Sequence, residues 1–298
     1  MSPAPLYTYT PEQVTAAFNS IKTTLFSGIT AEQTPKILVV AGLQGSGKTC
    51  LLETKLLPSG RYAKYVRLYL PEYRKQHPQY ADMLKLGVLH AYQHTEAFVR
   101  EVSAKIFTEA FTLKYNIIME CAFDSLDFAA FPPLATAAGY QFETHIVGCS
   151  QEFAHLSSIK LALKSLETLE LGRFVTLATL EAGMSHVQTI LLAFETASKA
   201  VGGSQITVYE RGLGVLKERA LRIQSTYPKA ADTDPLTAPT LYSAYGNIIN
   251  NHIYTPRERD EMVKECHLAL SRARPYLEQV PDFVYNDLYA YIVKYVYR

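Results

Sequence analysis

The chain has 298 residues, 48% of them hydrophobic, with a formal net charge of +1 and four cysteines. That length and composition support one large α/β domain with helical additions, or two domains. The near-neutral balance leaves no electrostatic footprint for nucleic acid or a membrane surface. Cys50, Cys121, Cys149 and Cys266 show neither a zinc-type spacing nor a disulfide framework.

The amino terminus, MSPAPLYTYTPEQ, lacks the basic start and apolar core of a signal peptide. No apolar run approaches the ~18 residues of a membrane span. The expectation is a folded cytoplasmic protein, with delivery into another cell by a secretion system left open. Thr10-Pro11-Glu12-Gln13 opens a helix through a capping box with proline in the first turn. Val14, Ala17, Phe18, Ile21 and Leu25 continue it at helical spacing. Residues 27–35 read as a loop, 36–41 as a strand, 48–56 as a helix and 62–70 as a second strand. Residues 79–112 read as mostly helical and 115–121 as a strand, after which Phe131-Pro132-Pro133 breaks the chain. A strand over 142–149, helices over 151–170 and 180–200 and a strand over 204–210 follow.

Strands alternating with helices indicate an α/β fold with a parallel sheet flanked by helices, its ligand at the carboxyl ends of the strands. The tail reads differently. Residues 225–240 carry Pro228, Asp232, Asp234, Pro235 and Pro239 and read as a loop. Thr255-Pro256-Arg257-Glu258 is a second capping box, starting a helix to about Arg274. Val284, Leu288, Tyr291, Ile292 and Tyr295 share one face of a last helix, as helix packing or as a partner surface. We place one α/β domain at 1–212 and a helical extension at 213–298, packed on or beside it.

One stretch carries specific chemistry. AGLQGSGKTC, residues 41–50, follows the first strand and fits the Walker A pattern Gly42-x4-Gly47-Lys48-Thr49. The glycines allow backbone conformations closed to other residues, so main-chain amides can approach phosphate oxygens. Gly42, Leu43, Gln44, Gly45, Ser46, Gly47, Lys48, Thr49 and Cys50 are therefore the candidate binding residues for ATP or GTP. Lys48 is expected on the β- and γ-phosphates and the Thr49 hydroxyl on Mg²⁺.

With that loop in place, further stretches fall into a familiar order. YRKQHPQY (73–80) follows the second strand, YNIIME (115–120) is a strand ending in glutamate, VYERG (208–212) is a late strand with an Arg-Gly turn, and YTPRERDEMV (254–263) starts a late helix. Together they resemble the zeta toxin family of P-loop kinases, which phosphorylate the 3′-hydroxyl of UDP-N-acetylglucosamine-type sugars. The resemblance implies a phosphotransferase and an antitoxin or other protein partner. The chain departs from the family where acceptor and base are held. The catalytic aspartate falls on Pro71, a substrate glutamate on Ala104, and the substrate threonine and arginine on Ala122 and Asp124. The lid arginines fall near Leu161 and Leu177, with Lys160, Lys164 and Arg173 close by.

Three functions remain open from the residues. The first is a kinase for a small-molecule hydroxyl other than, or bound differently from, UDP-N-acetylglucosamine. Its catalytic groups would be Lys48, with Glu72, Glu120 or Asp124 as base, or Glu120 holding magnesium-bound water. The second is a nucleotide-binding pseudokinase, and the third a hydrolase using Gln44 or Glu120 to aim a water. His77 reads as structural, and His90 and His94, four apart on a helix, have metal-pair spacing without an evident third ligand.

Overall fold

Ile37–Ala41 form an unbroken buried run, the mark of a strand covered on both faces of a parallel sheet. The computed structural model describes residues 6–212, 219–228 and 240–296 and places this strand, β1 (Lys36–Ala41), at the centre. The sheet also contains β2 (Val66–Arg67), β3 (Ile117–Cys121), β4 (Gln141–Gly148), β5 (Ser204–Arg211) and β6 (Arg219–Tyr227), in the order β2-β3-β1-β4-β5-β6. β1 to β5 pair in parallel and β6 runs antiparallel to β5. Both neighbours of β1 come later in the chain and lie on opposite sides of it, which opens a crevice at its carboxyl end.

The helices are α1 (Pro11–Leu25), α2 (Lys48–Leu51, continued by a π-turn over Leu52–Leu56), α3 (Tyr80–Lys85), α4 (Val88–Thr112), α5 (Asp127–Ala137), α6 (Gln151–Thr168), α7 (Leu177–Ala200), α8 (Leu241–Asn250), α9 (Pro256–Ala273) and α10 (Asp282–Val296). Both predicted capping boxes form: Thr10 with Gln13 starts α1 and Thr255 with Glu258 starts α9. α1 buries Val14, Ala17 and Phe18 in the main core beside Phe98 and Val102 of α4.

Four expectations change. The strand expected over 62–70 shrinks to Val66–Arg67, because Tyr69 turns left-handed at φ 61° and Pro71 opens a 3-10 turn over Pro71–Gln76. The helix expected over 79–112 is divided at Gly87, whose φ of 107° ends one helix and starts the next. No break occurs at Pro132-Pro133: α5 carries both, and its packing on α7 offsets the lost backbone donors. In the tail, Ser225–Tyr227 belong to β6 rather than a loop, while 229–239 lie outside the described residues. Ile223, Ser225 and Tyr227 turn inward and Arg222, Gln224 and Thr226 outward, a period-two signal that was present in the sequence.

The sheet therefore runs past residue 212, and Leu241, Tyr245 and Ile248 of α8 join the same core. α9 and α10 instead share a second core with α6: Leu156, Ile159 and Leu163 meet Met262, Cys266, Val284, Leu288 and Tyr291. The apolar face of α10 is thus used for helix packing. Leu288 is fully buried there. Leu288→Ala should lower the unfolding free energy by about 2–5 kcal/mol in a denaturant titration. A change under about 0.5 kcal/mol, as for an exposed partner surface, would contradict this packing.

Candidate active site

The glycine-rich loop leaves the end of β1 and is seated before any ligand is considered. Gly42 N–H donates to the Cys121 carbonyl at 3.0 Å, tying the loop to the end of β3. Gly45 has φ 85°, and a Cβ there would lie 1.9 Å from the Ala154 carbonyl oxygen of α6. Gly47, at φ 90°, turns the chain into α2. Leu43 is buried and anchors the loop from below. The Ser46 hydroxyl is buried with no hydrogen-bond partner among the described residues. A main-chain cradle with left-handed glycines, an unsatisfied buried hydroxyl and a helix start fits a polyphosphate group.

Around this cradle the structure gathers charge from distant segments. The Thr49 hydroxyl donates to Glu120 Oε2 at 2.6 Å. The other oxygen of Glu120 faces Arg67 Nη2 at 3.4 Å, and Arg67 also pairs with Glu53 at 2.7 Å. Thr49 and Glu120 thus form an oxygen pair suited to a hard cation with phosphate and water completing the shell. Among the described residues no cluster of three or more His, Cys, Asp or Glu could hold a metal unaided. Burial pushes the Lys48 ammonium below its ordinary pKa and Arg173 adds to this, whereas Glu120, Cys121 and Asp124 work against it. The lysine therefore sits in a field that an anionic ligand would relieve.

Two arginines close on the loop. Arg173, between α6 and α7, donates to the Gln44 side-chain oxygen at 2.8 Å and faces Asp124 at 3.9 Å. Arg211, at the end of β5, donates to the Gly45 carbonyl at 2.6 Å and stacks over Phe153 at 4.5 Å. Of the cations named near the lid, Lys160 is drawn away to Glu265 of α9, and Lys164 is exposed. Arg211 was visible only as part of the Arg-Gly turn, since nothing local says that it reaches the loop.

The segment around Arg173 is itself held. His155 of α6 is fully buried; its Nε2 lies 2.9 Å from the Val175 carbonyl and its Nδ1 2.8 Å from the Tyr291 hydroxyl of α10. A carbonyl only accepts, so Nε2 carries the proton and Tyr291 donates to Nδ1. Burial lowers the pKa of this imidazole, with the Val175 hydrogen bond and Asp287 opposing, so its neutral form is favoured.

The neighbouring strand ends differ in character. Asp124 follows Phe123, a non-glycine residue at φ 62° whose carbonyl accepts from His186 Nδ1 at 3.1 Å. Glu72 is exposed on the 3-10 turn, and no contact among the described residues ties it to the loop. Pro71 and Ala104 are exposed as well, and Ala122 is half-buried. His77 is buried and its Nδ1 accepts from the Gln79 N–H at 3.1 Å, a turn-fixing role. Arg74, also buried, donates to Glu96 at 2.6 Å, to Thr95 at 2.8 Å and to the Tyr92 carbonyl at 3.0 Å, locking the 3-10 turn to α4.

The family described as Zeta toxin matches residues 21–225. No curated protein sequence matches the chain. A structure from the PezAT chromosomal toxin–antitoxin system of Streptococcus pneumoniae is similar with a TM-score of 0.61 at 15% identity, over 91% of this chain and 99% of that one. AvrRxo1-ORF1:-ORF2 with ATP is similar with a TM-score of 0.53 at 10% identity, over 94% of this chain and 86% of that one. The same pair with sulphate ions gives 0.51 at 10% identity, over 95% and 82%. These structures share the fold of this chain, whose mostly parallel sheet has six strands among the described residues, flanked by helices and followed by a helical carboxyl-terminal region. Fold and family support a nucleotide-dependent phosphotransferase, and no helix among the described residues is long and apolar enough to cross a membrane. With more than half of its length matched, the chain belongs to the zeta toxin family.

Proposed function

We propose that the chain transfers the γ-phosphate of ATP or GTP to a hydroxyl of a small-molecule acceptor other than, or bound differently from, UDP-N-acetylglucosamine. The observation that carries this reading is the convergence of Lys48, the Thr49–Glu120 pair and Arg173 on one glycine cradle, four groups from three separate segments. Phosphoryl transfer depends mostly on positioning and charge neutralisation, which these groups supply. Lys48 neutralises the β- and γ-phosphates. Thr49 and Glu120 would hold Mg²⁺, whose charge would offset that of the phosphates. Arg173 reaches the transferring phosphate from the lid, and Arg211 acts through the Gly45 carbonyl as a positioning residue.

For the base, Glu120 is engaged by Thr49 and Arg67, which suits the metal role. Asp124 faces the lid arginine at the end of the neighbouring strand and is the favoured proton acceptor; Glu72 is the alternative. A second reading, a nucleotide-binding pseudokinase that acts through a protein partner, is favoured by Pro71, exposed where the family's base would lie. On family grounds that partner would be an antitoxin or other protein covering the loop, with the chain acting in the cytoplasm or after delivery into another cell.

Mg²⁺ with ATP or GTP should raise the melting temperature in a thermal-shift assay, because only the folded cradle binds, and Lys48→Ala should remove the rise. No rise with either triphosphate would remove the basis for both readings. With labelled triphosphate and a pool of cell metabolites, the kinase reading expects transfer to an acceptor. Arg173→Ala should cut that rate by about 10²–10³-fold with little change in triphosphate affinity. Binding without transfer by the unaltered protein would favour the pseudokinase. Asp124→Asn should slow transfer by about 10²–10⁴-fold and Glu72→Gln should leave it nearly unchanged. The reverse ranking would move the base to Glu72.

A further inference from the structure

A chain of polar contacts beside the glycine-rich loop starts and ends on the same helical segment. Thr49 lies in α2 and Glu53 in the π-turn that continues it. Between them the contacts run through two strand ends. Thr49 donates to Glu120 Oε2 at 2.6 Å, Glu120 Oε1 faces Arg67 Nη2 at 3.4 Å, and Arg67 Nη1 pairs with Glu53 Oε1 at 2.7 Å. The two prongs of one guanidinium thus hold carboxylates from two different elements. A planar fork with fixed donors suits this task, whereas a lysine ammonium is a single point charge.

The root of the fork is firmly set. Arg67 is in register with Ile118 of β3, and the N–H of Leu68 donates to the Ile118 carbonyl at 3.1 Å. The Arg67 carbonyl accepts from the Tyr73 hydroxyl at 2.7 Å. The Arg67 and Glu120 side chains are largely covered, while Glu53 forms the exposed end of the chain.

Orientation matters because the Thr49 hydroxyl has a single proton. By giving it to Oε2, the hydroxyl keeps its lone pairs free for a cation. Oε1 accepts from Arg67 and keeps further acceptor capacity for a water molecule. If Glu120 turned away, the Thr49 proton would lose its acceptor and the oxygen pair would come apart. Without Arg67, Glu53 and Glu120 would also lose their shared counter-charge.

We propose that Arg67 is a positioning residue for the cation that accompanies the triphosphate. Anchored by Glu53, it fixes Glu120 so that the Thr49 and Glu120 oxygens stand together. The same two contacts keep Glu120 from serving as the proton acceptor. The inference rests on the triphosphate-binding reading above, and Arg67 acts through Glu120 rather than on phosphate or acceptor.

The test is calorimetric titration of the full chain with a non-hydrolysable analogue of whichever triphosphate raises the melting temperature, once with Mg²⁺ and once in EDTA. The ratio of the two affinities reports the share due to the metal, and a merely structural role would lower both alike. Arg67→Lys keeps the charge and loses the fork. It should lower the ratio by about tenfold or more, as loss of a group supporting a metal ligand does, with the affinity in EDTA changed by less than about twofold. Lysine is chosen over alanine because removing the positive charge would by itself draw a cation in. Glu53→Gln, at the exposed end, should lower the ratio by about two- to fivefold. An unchanged ratio in Arg67→Lys overturns the inference, as does an equal loss of affinity with Mg²⁺ and in EDTA. Should the lysine variant fail to fold, an unchanged ratio in Glu53→Gln overturns it. Equal affinity with and without Mg²⁺ in the unaltered protein also overturns it, since nothing would be left for Arg67 to position. Absence of all analogue binding by the unaltered protein would instead remove the triphosphate reading itself, which separates the two failures.

Discussion

At Gly45 there is no room for a side chain. The residue lies left-handed against the Ala154 carbonyl, where a Cβ would approach to 1.9 Å, while its own carbonyl accepts from Arg211 at 2.6 Å. The loop is thereby clamped between α6 and the end of β5. Strand order puts β1 between β3 and β4, so the clamp also sets where Thr49 meets Glu120 and where Gln44 meets Arg173. A loosened loop would lose all of these contacts together, because each reaches it from a different segment.

The two halves of the site are built on different physics. The glycine-cradle side is main chain and fixed charge: glycine conformations, a helix start, Lys48 and two arginines. Such groups need no reorganisation when negative charge arrives. The other side consists of strand ends. Tyr69 after β2 and Phe123 after β3 both hold positive φ without being glycine, a conformation that surrounding packing must impose. At Phe123 that packing is visible: its ring is buried against Tyr245 of α8 and its carbonyl accepts a hydrogen bond from His186 Nδ1. The turn after β2 is held instead by the buried guanidinium of Arg74.

The carboxyl-terminal helices enter this arrangement through α6. One face of α6 abuts Gly45 and presents Ser157 towards Arg211, while another forms the second core with α9 and α10. His155 joins the two, linking Tyr291 of α10 to the Val175 carbonyl two residues beyond Arg173. The segment carrying Arg173 is thus fastened to the helical region as well as to the glycine-rich loop.

What the sequence determined by itself was local. The capping boxes at Thr10 and Thr255, the strand-loop-helix order around Gly42–Thr49, and the apolar run of β1 follow from contacts a few residues apart. Family order added the glutamate at the end of β3. Local pattern misled where packing overrode it: α5 keeps two prolines, β2 ends early, and β6 hid its alternation inside a stretch read partly as loop. Only the tertiary structure chose among the cations, sending Lys160 to Glu265 and Arg173 to Gln44, and brought Arg211 under a loop 166 residues away. It also assigned the face of α10 to helix packing rather than to a partner. The reason is geometric. Residue type and spacing decide what a segment can offer, whereas which offer is taken depends on contacts between strand ends and helices far apart in the chain, and no local pattern encodes those.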